Sequence, residues 1–228
     1  MEENYTKELP TSKGAKNFFD IFEPIIYALL AVVMISLFLG RLTVVDGESM
    51  ESKLSNGEYL VVSDFMLSYT PKQGDIVVVR GNFDGDYYDK PIVKRVIATG
   101  GQTVRIQFYN DKDAEIYVDD KLYEVPTAVY IDKDITDFYS ALEIYEYYYL
   151  GYKLDGTPMD NASPYYDYDT KVFEITVPEG EYFMMGDNRY HSADSRINEI
   201  GCIPAKYILG KAIFRLTPLK KLGGLYND

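Results

Sequence analysis

The sequence predicts a mainly β chain, an antiparallel β-sheet domain interrupted by an acidic, tyrosine-rich insert and preceded by one apolar N-terminal helix. Three observations carry this expectation. From residue 59 onward, short β-branched runs recur between Gly, Pro, Asn and Asp, and runs of that length and composition read as strands. Residues 25–40 contain no charge at all. Between Asp132 and Asp169, acidic residues outnumber basic ones and tyrosines cluster, as in Tyr145-Glu146-Tyr147-Tyr148-Tyr149.

Taken in order, residues 1–17 are polar and carry Pro10, Ser12 and Gly14, the composition of a tail. The uncharged stretch 25–40 falls a little short of the roughly 20 residues a bilayer needs. Phe18, Phe19, Ile21 and Phe22 lengthen it, with Asp20, Glu23 and Pro24 at one interface. Proline suits the first turn of a helix, where its missing N–H is no loss. A cleaved leader would show a basic region before the run and a small-x-small site after it; neither is clear. A buried core helix would need a partner of matching hydrophobicity, and the chain supplies none. The expectation is therefore a tail over 1–22, a single-span anchor over 23–40 and a folded domain over 41–228. Lys7, Lys13 and Lys16 before the run, against Arg41 just after it, give a weak bias of the tail toward the cytoplasmic side.

Strands are expected at Tyr59-Leu60-Val61-Val62, Asp75-Ile76-Val77-Val78-Val79, 92–97, 103–106, 116–118, 172–177, 182–186 and 209–216. Asp119-Asp120, between Val118 and Leu122, reads as a hairpin turn. The insert, over about 107–170, leaves room for one short helix near 136–148. It reads either as a docking surface or as a solvated appendage packed by its own tyrosines.

Composition narrows the chemistry. A formal net charge of −13 over 228 residues argues against nucleic acid, since phosphate binding needs a basic face. One cysteine, Cys202, excludes an intrachain disulfide and a cysteine-built zinc site, and one histidine leaves little for any other metal. Cys202 reads as a small buried residue rather than a reactive thiol. No cofactor is expected.

The candidate nucleophile is Ser49, in Val45-Asp46-Gly47-Glu48-Ser49-Met50 directly after the apolar run. A serine hydroxyl needs a neighbouring base. His191 with Asp194 could form a Ser-His-Asp set, although it lies in a turn-rich block where histidines are commonly exposed. Lysine is the alternative base. It must be neutral to act, and lowering its pKa from about 10.4 by roughly 3 units to near the working pH corresponds to about 4 kcal/mol against the charged form, which burial can supply. Lys94, in Pro91-Ile92-Val93-Lys94-Arg95-Val96-Ile97, is placed for this: alternation turns it to the face of Ile92 and Val96, and Arg95 to the other. The plainer reading of a lysine in an apolar strand is protection of a sheet edge. Lys53, in a polar stretch, is expected to be solvated.

Four blocks occur in a telling order: Gly47-x-Ser49-Met50, Gly74-Asp75-Ile76-Val77-Val78, Lys94-Arg95-Val96, and Gly186-Asp187-Asn188-Arg189 followed by Ser192-x-Asp194-Ser195-Arg196. In this order, behind an N-terminal apolar segment, they resemble the type I signal peptidases of bacteria, Gram-positive-like in form. The resemblance runs from the apolar segment to Gly210-Lys211-Ala212-Ile213-Phe214-Arg215 and leaves outside it only Asp132–Asp169 and the first two dozen residues. It implies a membrane-tethered serine endopeptidase that cuts signal peptides from secretory preproteins after small residues, close to membrane lipid on the extracytoplasmic side. It implies Ser49 as nucleophile, Lys94 as general base, the Ser49 N–H as an oxyanion donor, Ser192 as a hydrogen-bond partner of Lys94, and Asp194 with Arg196 as a pair holding the block in shape. Where some members carry an additional hydroxyl donor, this chain has Gly47. Two stretches depart from the family: Glu51-Ser52-Lys53-Leu54 stands for x-Pro-Thr-Leu, and Ala98-Thr99-Gly100-Gly101-Gln102 for Gly-Leu-Pro-Gly-Asp. The rivals are the self-cleaving repressors, which carry a DNA-binding domain in place of the apolar segment, and a non-catalytic assembly or chaperone relative, which would be expected to lose the serine or the lysine.

Overall fold

The β-branched runs pair into two antiparallel sheets. A computed structural model describes residues 21–31, 41–63, 69–81, 90–109, 114–125, 142–143, 146–189 and 191–226. The chain divides into two units, residues 1–40 and 41–228. In the first, residues 21–31 are helical, with Ile25, Ile26, Leu29 and Leu30 exposed. The tail and most of the expected span fall on residues 1–20 and 32–40, which lie outside the described residues. Among the described residues, no helix is long and apolar enough to cross a membrane.

In the second unit the larger sheet contains β1 (Arg41–Val44), β2 (Tyr59–Ser63), β3 (Ile76–Val79), β4 (Ile92–Thr99), β10 (Glu181–Met185), β11 (Ile203–Pro204), β12 (Ile208–Arg215) and β13 (Gly223–Gly224). Their order is β1-β2-β12-β3-β4-β10-β11, with β13 also on β12. The smaller sheet runs β7-β6-β5-β9-β8, from β5 (Thr103–Gln107), β6 (Glu115–Val118), β7 (Lys121–Leu122), β8 (Tyr166–Asp167) and β9 (Val172–Thr176).

The uninterrupted Ile76-Val77-Val78-Val79 run follows from burial on both faces. Ile76 and Val78 pack with Met50, Leu54, Leu60 and Val62, whereas Val77 and Val79 pack with Val96, Met184 and Ile197. Strand β10 divides its side chains in the same way: Tyr182 and Met184 join the latter core, and Phe183 and Met185 join the core of the smaller sheet. The expected hairpin forms, with Asp119 and Asp120 at φ 50° and 62° joining β6 to β7.

The departure at Ala98–Gln102 makes a working turn between the sheets. The Gln102 side-chain oxygen accepts from the Thr99 N–H at 3.0 Å, and the Gly101 N–H donates to the Val177 carbonyl at 2.9 Å. Gly100 is required by space, since a Cβ there would lie 2.9 Å from the Pro178 carbonyl oxygen.

Within the expected insert, residues 110–113, 126–141 and 144–145 lie outside the described residues, including most of the short helix expected near 136–148. What is described does more than pack on itself. Tyr152 stacks on Tyr168 and meets Tyr166 edge-on, but Leu150 and Tyr166 are also buried in the core with Phe173 of β9. Glu146 is buried, accepting from Lys171 Nζ at 2.7 Å and from the Tyr166 hydroxyl.

Candidate active site

The turn holding Ser49 is seated by two buried apolar residues. Met50 and Leu54 enter the core, and the Leu54 N–H donates to the Met50 carbonyl at 2.8 Å. Gly47 takes φ +101°, a conformation that glycine adopts without a Cβ penalty, and its N–H donates to Asn56 Oδ1 at 3.1 Å. Ser49 remains half-buried, and its own N–H has no partner among the described residues.

Lys94 occupies the middle of β4, opposite Val77 of β3, and is 2% exposed. As alternation requires, its neighbours Ile92 and Val96 belong to the core that also contains Val77. Because β4 lies between β3 and β10, the lysine is no edge gatekeeper. Burial pushes its pKa down from 10.5 to about 8; Asp194 pulls upward and Arg196 presses downward. Ser49 and Lys94 line one cavity of about 450 Å³, with Asp46, Gly47, Glu48, Lys90, Pro91, Ile92, Val93, His191 and Ala193.

Behind this cavity the Gly186–Arg196 block folds into a buried polar network. Arg196 grips Asp194 with Nε on Oδ1 at 2.6 Å and Nη2 on Oδ2 at 2.8 Å. The Ser192 hydroxyl donates to Asp194 Oδ2 at 2.7 Å and accepts from the Gly186 N–H at 3.1 Å. Burial alone would raise the Asp194 pKa, but the Arg196 charge and these hydrogen bonds hold it below the ordinary carboxylate value. Ser195 binds the block to β10, its N–H on the Met184 carbonyl at 3.1 Å and its Oγ accepting the Met184 N–H at 3.0 Å.

The network differs from expectation at Ser192. Its hydroxyl donates to Asp194 and accepts from Gly186, and among the described residues it makes no hydrogen bond to Lys94. Asp194 is committed to Arg196, Ser192 and Gly186 rather than to the exposed His191. A Ser-His-Asp set through Asp194 is not assembled. Lys53 is also a correction: it is nearly buried, and burial together with nearby Arg95 and Arg215 lowers its pKa. Local polarity at Lys53 gave no sign of Arg215, which arrives on β12 and donates to the Lys53 carbonyl at 3.1 Å. The Cys202 thiol is half-buried, and burial lifts its pKa to about 12, consistent with an unreactive group. Among the described residues, no cluster of acidic, histidine or cysteine side chains could hold a metal.

Several positioning residues lay within the quoted blocks without an assigned role. The Asn188 N–H donates to the Ser49 carbonyl at 3.0 Å, and its Nδ2 donates to the Glu48 carbonyl at 3.1 Å. Arg95 chelates Asp187 through Nε–Oδ1 at 2.7 Å and Nη2–Oδ2 at 2.6 Å, and its Nη1 donates to the Gly74 carbonyl at 2.9 Å. All four sequence blocks are thus joined: Gly74 to Arg95, Arg95 to Asp187, and Asn188 to Ser49. Removing one partner of a buried pair leaves the other charge uncompensated, at roughly 3–5 kcal/mol. Asp187→Ala should therefore lose that much stability in urea unfolding and loosen the Ser49 turn; a loss below about 1 kcal/mol would refute this account.

A family model described as "Signal peptidase, peptidase S26" matches residues 18–217. Signal peptidase I of Streptococcus pneumoniae serotype 4 (strain ATCC BAA-334 / TIGR4) is 33% identical over 219 residues, covering 91% of this chain and 97% of that protein. Signal peptidase I of Bacillus licheniformis is 32% identical over 218 residues, covering 95% and 97%. With its four motifs joined in one site and its length matched almost throughout, this chain belongs to the signal peptidase family, peptidase S26.

Proposed function

We propose that this chain is a type I signal peptidase, a serine endopeptidase that removes signal peptides from secretory preproteins, with Ser49 as nucleophile and Lys94 as general base. The observation that carries the assignment of residues is the shared cavity: a half-buried serine and a buried lysine of lowered pKa face the same space. At pH 7 about a tenth of a lysine with pKa near 8 is neutral. Neutral Lys94 takes the Ser49 proton as the oxygen attacks the scissile carbonyl. The Ser49 N–H, unpaired within the described fold, donates to the oxyanion. Protonated Lys94 then gives its proton to the leaving amine, and a water activated by the same lysine hydrolyses the acyl-enzyme. Asp194 and Arg196 hold opposite charges beside Lys94, so that burial dominates its pKa.

The cavity walls of Gly47, Pro91, Ile92, Val93 and Ala193 suit small side chains before the cut. Residues 23–40 anchor the enzyme, residues 1–22 lie on the cytoplasmic side, and residues 41–228 work outside. Ser49, which follows the anchor closely in sequence, meets its substrate near the lipid surface. The segment of about 107–170 is an insertion that supplies no reacting group, and no cofactor or nucleic acid takes part. The test is cleavage of a detergent-solubilised preprotein, with the new N-terminus of the product sequenced. Wild type should cut after a small-x-small site and Ser49→Ala should be inactive. A folded wild type that leaves several preproteins intact would favour a non-catalytic assembly factor.

A further inference from the structure

The inserted, tyrosine-rich segment touches the machinery behind Lys94 at one point. Residues Glu146–Leu150 form a single π-helical turn. One end is tied to the smaller sheet, where the buried Glu146 carboxylate meets Lys171 and Tyr166 and the Leu150 side chain enters the core. Three residues after Glu146, Tyr149 packs against two cores at once, that of the smaller sheet and that containing Val77, Val96, Met184 and Ile197. The Arg196 guanidinium lies 5.3 Å from the Tyr149 ring centroid, within cation–π range. The Tyr149 hydroxyl lies in the field of Arg196 and Asp194 and interacts with the Ser192 main chain.

We propose that Tyr149 is a positioning residue, through which the insert braces the Ser192–Asp194–Arg196 network and so keeps Lys94 dry and neutral enough to act. This rests on the Ser49–Lys94 reading for its catalytic consequence, but the brace itself is a matter of geometry. Arg196 is held from two sides, by the Asp194 carboxylate in its plane and by the Tyr149 ring. Without the ring, Arg196 and Asp194 gain freedom and water gains a path along the seam between the two cores. Among the described residues, the titratable groups around Lys94 are Asp194 and Arg196 behind it and Asp46, Glu48, Lys90 and His191 around the cavity. Of these, the brace controls the first two.

Tyr149→Leu keeps an apolar filler but removes the ring and the hydroxyl; Tyr149→Phe keeps the ring. Two readouts on the full chain in detergent separate the ideas. The first is kcat and KM on a signal-peptide substrate from pH 6 to 10. For Tyr149→Leu, kcat at pH 7 should fall about tenfold with KM within twofold, and the rising limb of kcat should move up by about one pH unit, so that activity recovers at high pH. Tyr149→Phe should stay within about threefold of wild type with its limb in place. The second is the pH dependence of reductive methylation at Lys94, read by mass spectrometry in a Ser49→Ala background, which needs no catalysis. It should show the same upward move for Tyr149→Leu. A Tyr149→Leu protein whose Lys94 titrates as in wild type overturns the proposal, including when its activity falls equally at every pH. If Tyr149→Leu does not fold, Tyr149→Met takes its place under the same criteria. Loss of the peptidase reading would instead show as an inactive wild type whose Lys94 titration still responds to Tyr149.

Discussion

Replacing Lys94 by methionine should lower kcat by about 10³–10⁴-fold and make the folded chain more stable. The first effect follows from the proposed role of Lys94 as the base for Ser49, since a positioned acid–base group contributes about 10²–10⁴. The second follows from the cost of holding a lysine at 2% exposure. A fall in pKa from 10.5 to about 8 corresponds to roughly 3 kcal/mol against the charged form. The unfolded chain binds this proton up to about pH 10.5 and the folded chain only up to about pH 8. Between those values the unfolded state holds more protons, so wild-type stability rises with pH. The penalty is complete below pH 8 and has gone above pH 10.5. Lys94→Met, of similar length and apolar, should therefore exceed wild type by up to about 3 kcal/mol at pH 7, with the difference closing as the pH rises through that window. Urea unfolding of the full chain in detergent at pH 7, 9 and 10.5 checks both magnitude and sign. A variant less stable than wild type at pH 7 would mean that Lys94 is satisfied as a cation, which would undermine its role as base.

The clarity of Lys94 in the sequence and the obscurity of its surroundings have one physical cause. Its alternation partners Ile92 and Val96 are two residues away, and strand geometry alone decides which face they share. The longer β-branched runs were legible for the same reason. Strands β8, β11 and β13 were not, since two residues carry too little pattern, and β1 was not, since Arg41–Val44 follows directly on the apolar run. The division into two sheets was equally hidden, because it depends on β10 serving two cores with alternate side chains. The block Gly186–Arg196 could be recognised by its residues, yet the reason for Asn188 could not be read from it: its partner Glu48 lies 140 positions away. Lys53 shows the limit in the other direction. Its neighbours in sequence are polar, and only pairing of β12 with β2 brings Arg215 beside it. Short-range patterns report faces, whereas buried polar partnerships are made by topology.

Adding a single methyl group at Gly186 should disable the enzyme by pushing its two halves apart. A Cβ there would stand 2.2 Å from Ser192 Oγ and 2.3 Å from the Ser49 carbonyl oxygen. Neither atom can yield cheaply. Ser192 Oγ is held by Asp194, which Arg196 holds in turn, and the Ser49 carbonyl is the acceptor for the Asn188 N–H. The least constrained response is displacement of the Ser49 turn, and a misplacement of about 1 Å at a reacting atom can cost about 10²-fold. Gly186→Ala should therefore lower kcat by about 100-fold or more, while overpacking costs roughly 1–3 kcal/mol of stability. The companion variant Gly180→Ala separates the two effects. Gly180 has φ +78° with nothing within 4 Å of its would-be Cβ, so alanine there adds backbone strain of about 1–3 kcal/mol without touching the site. Comparable losses of stability with opposite catalytic outcomes would locate the Gly186 effect in the Ser49–Ser192 contact. A Gly186→Ala enzyme within about threefold of wild type in kcat would show that the turn can shift without moving the hydroxyl, and that the close approach of the two motifs is not what aims Ser49.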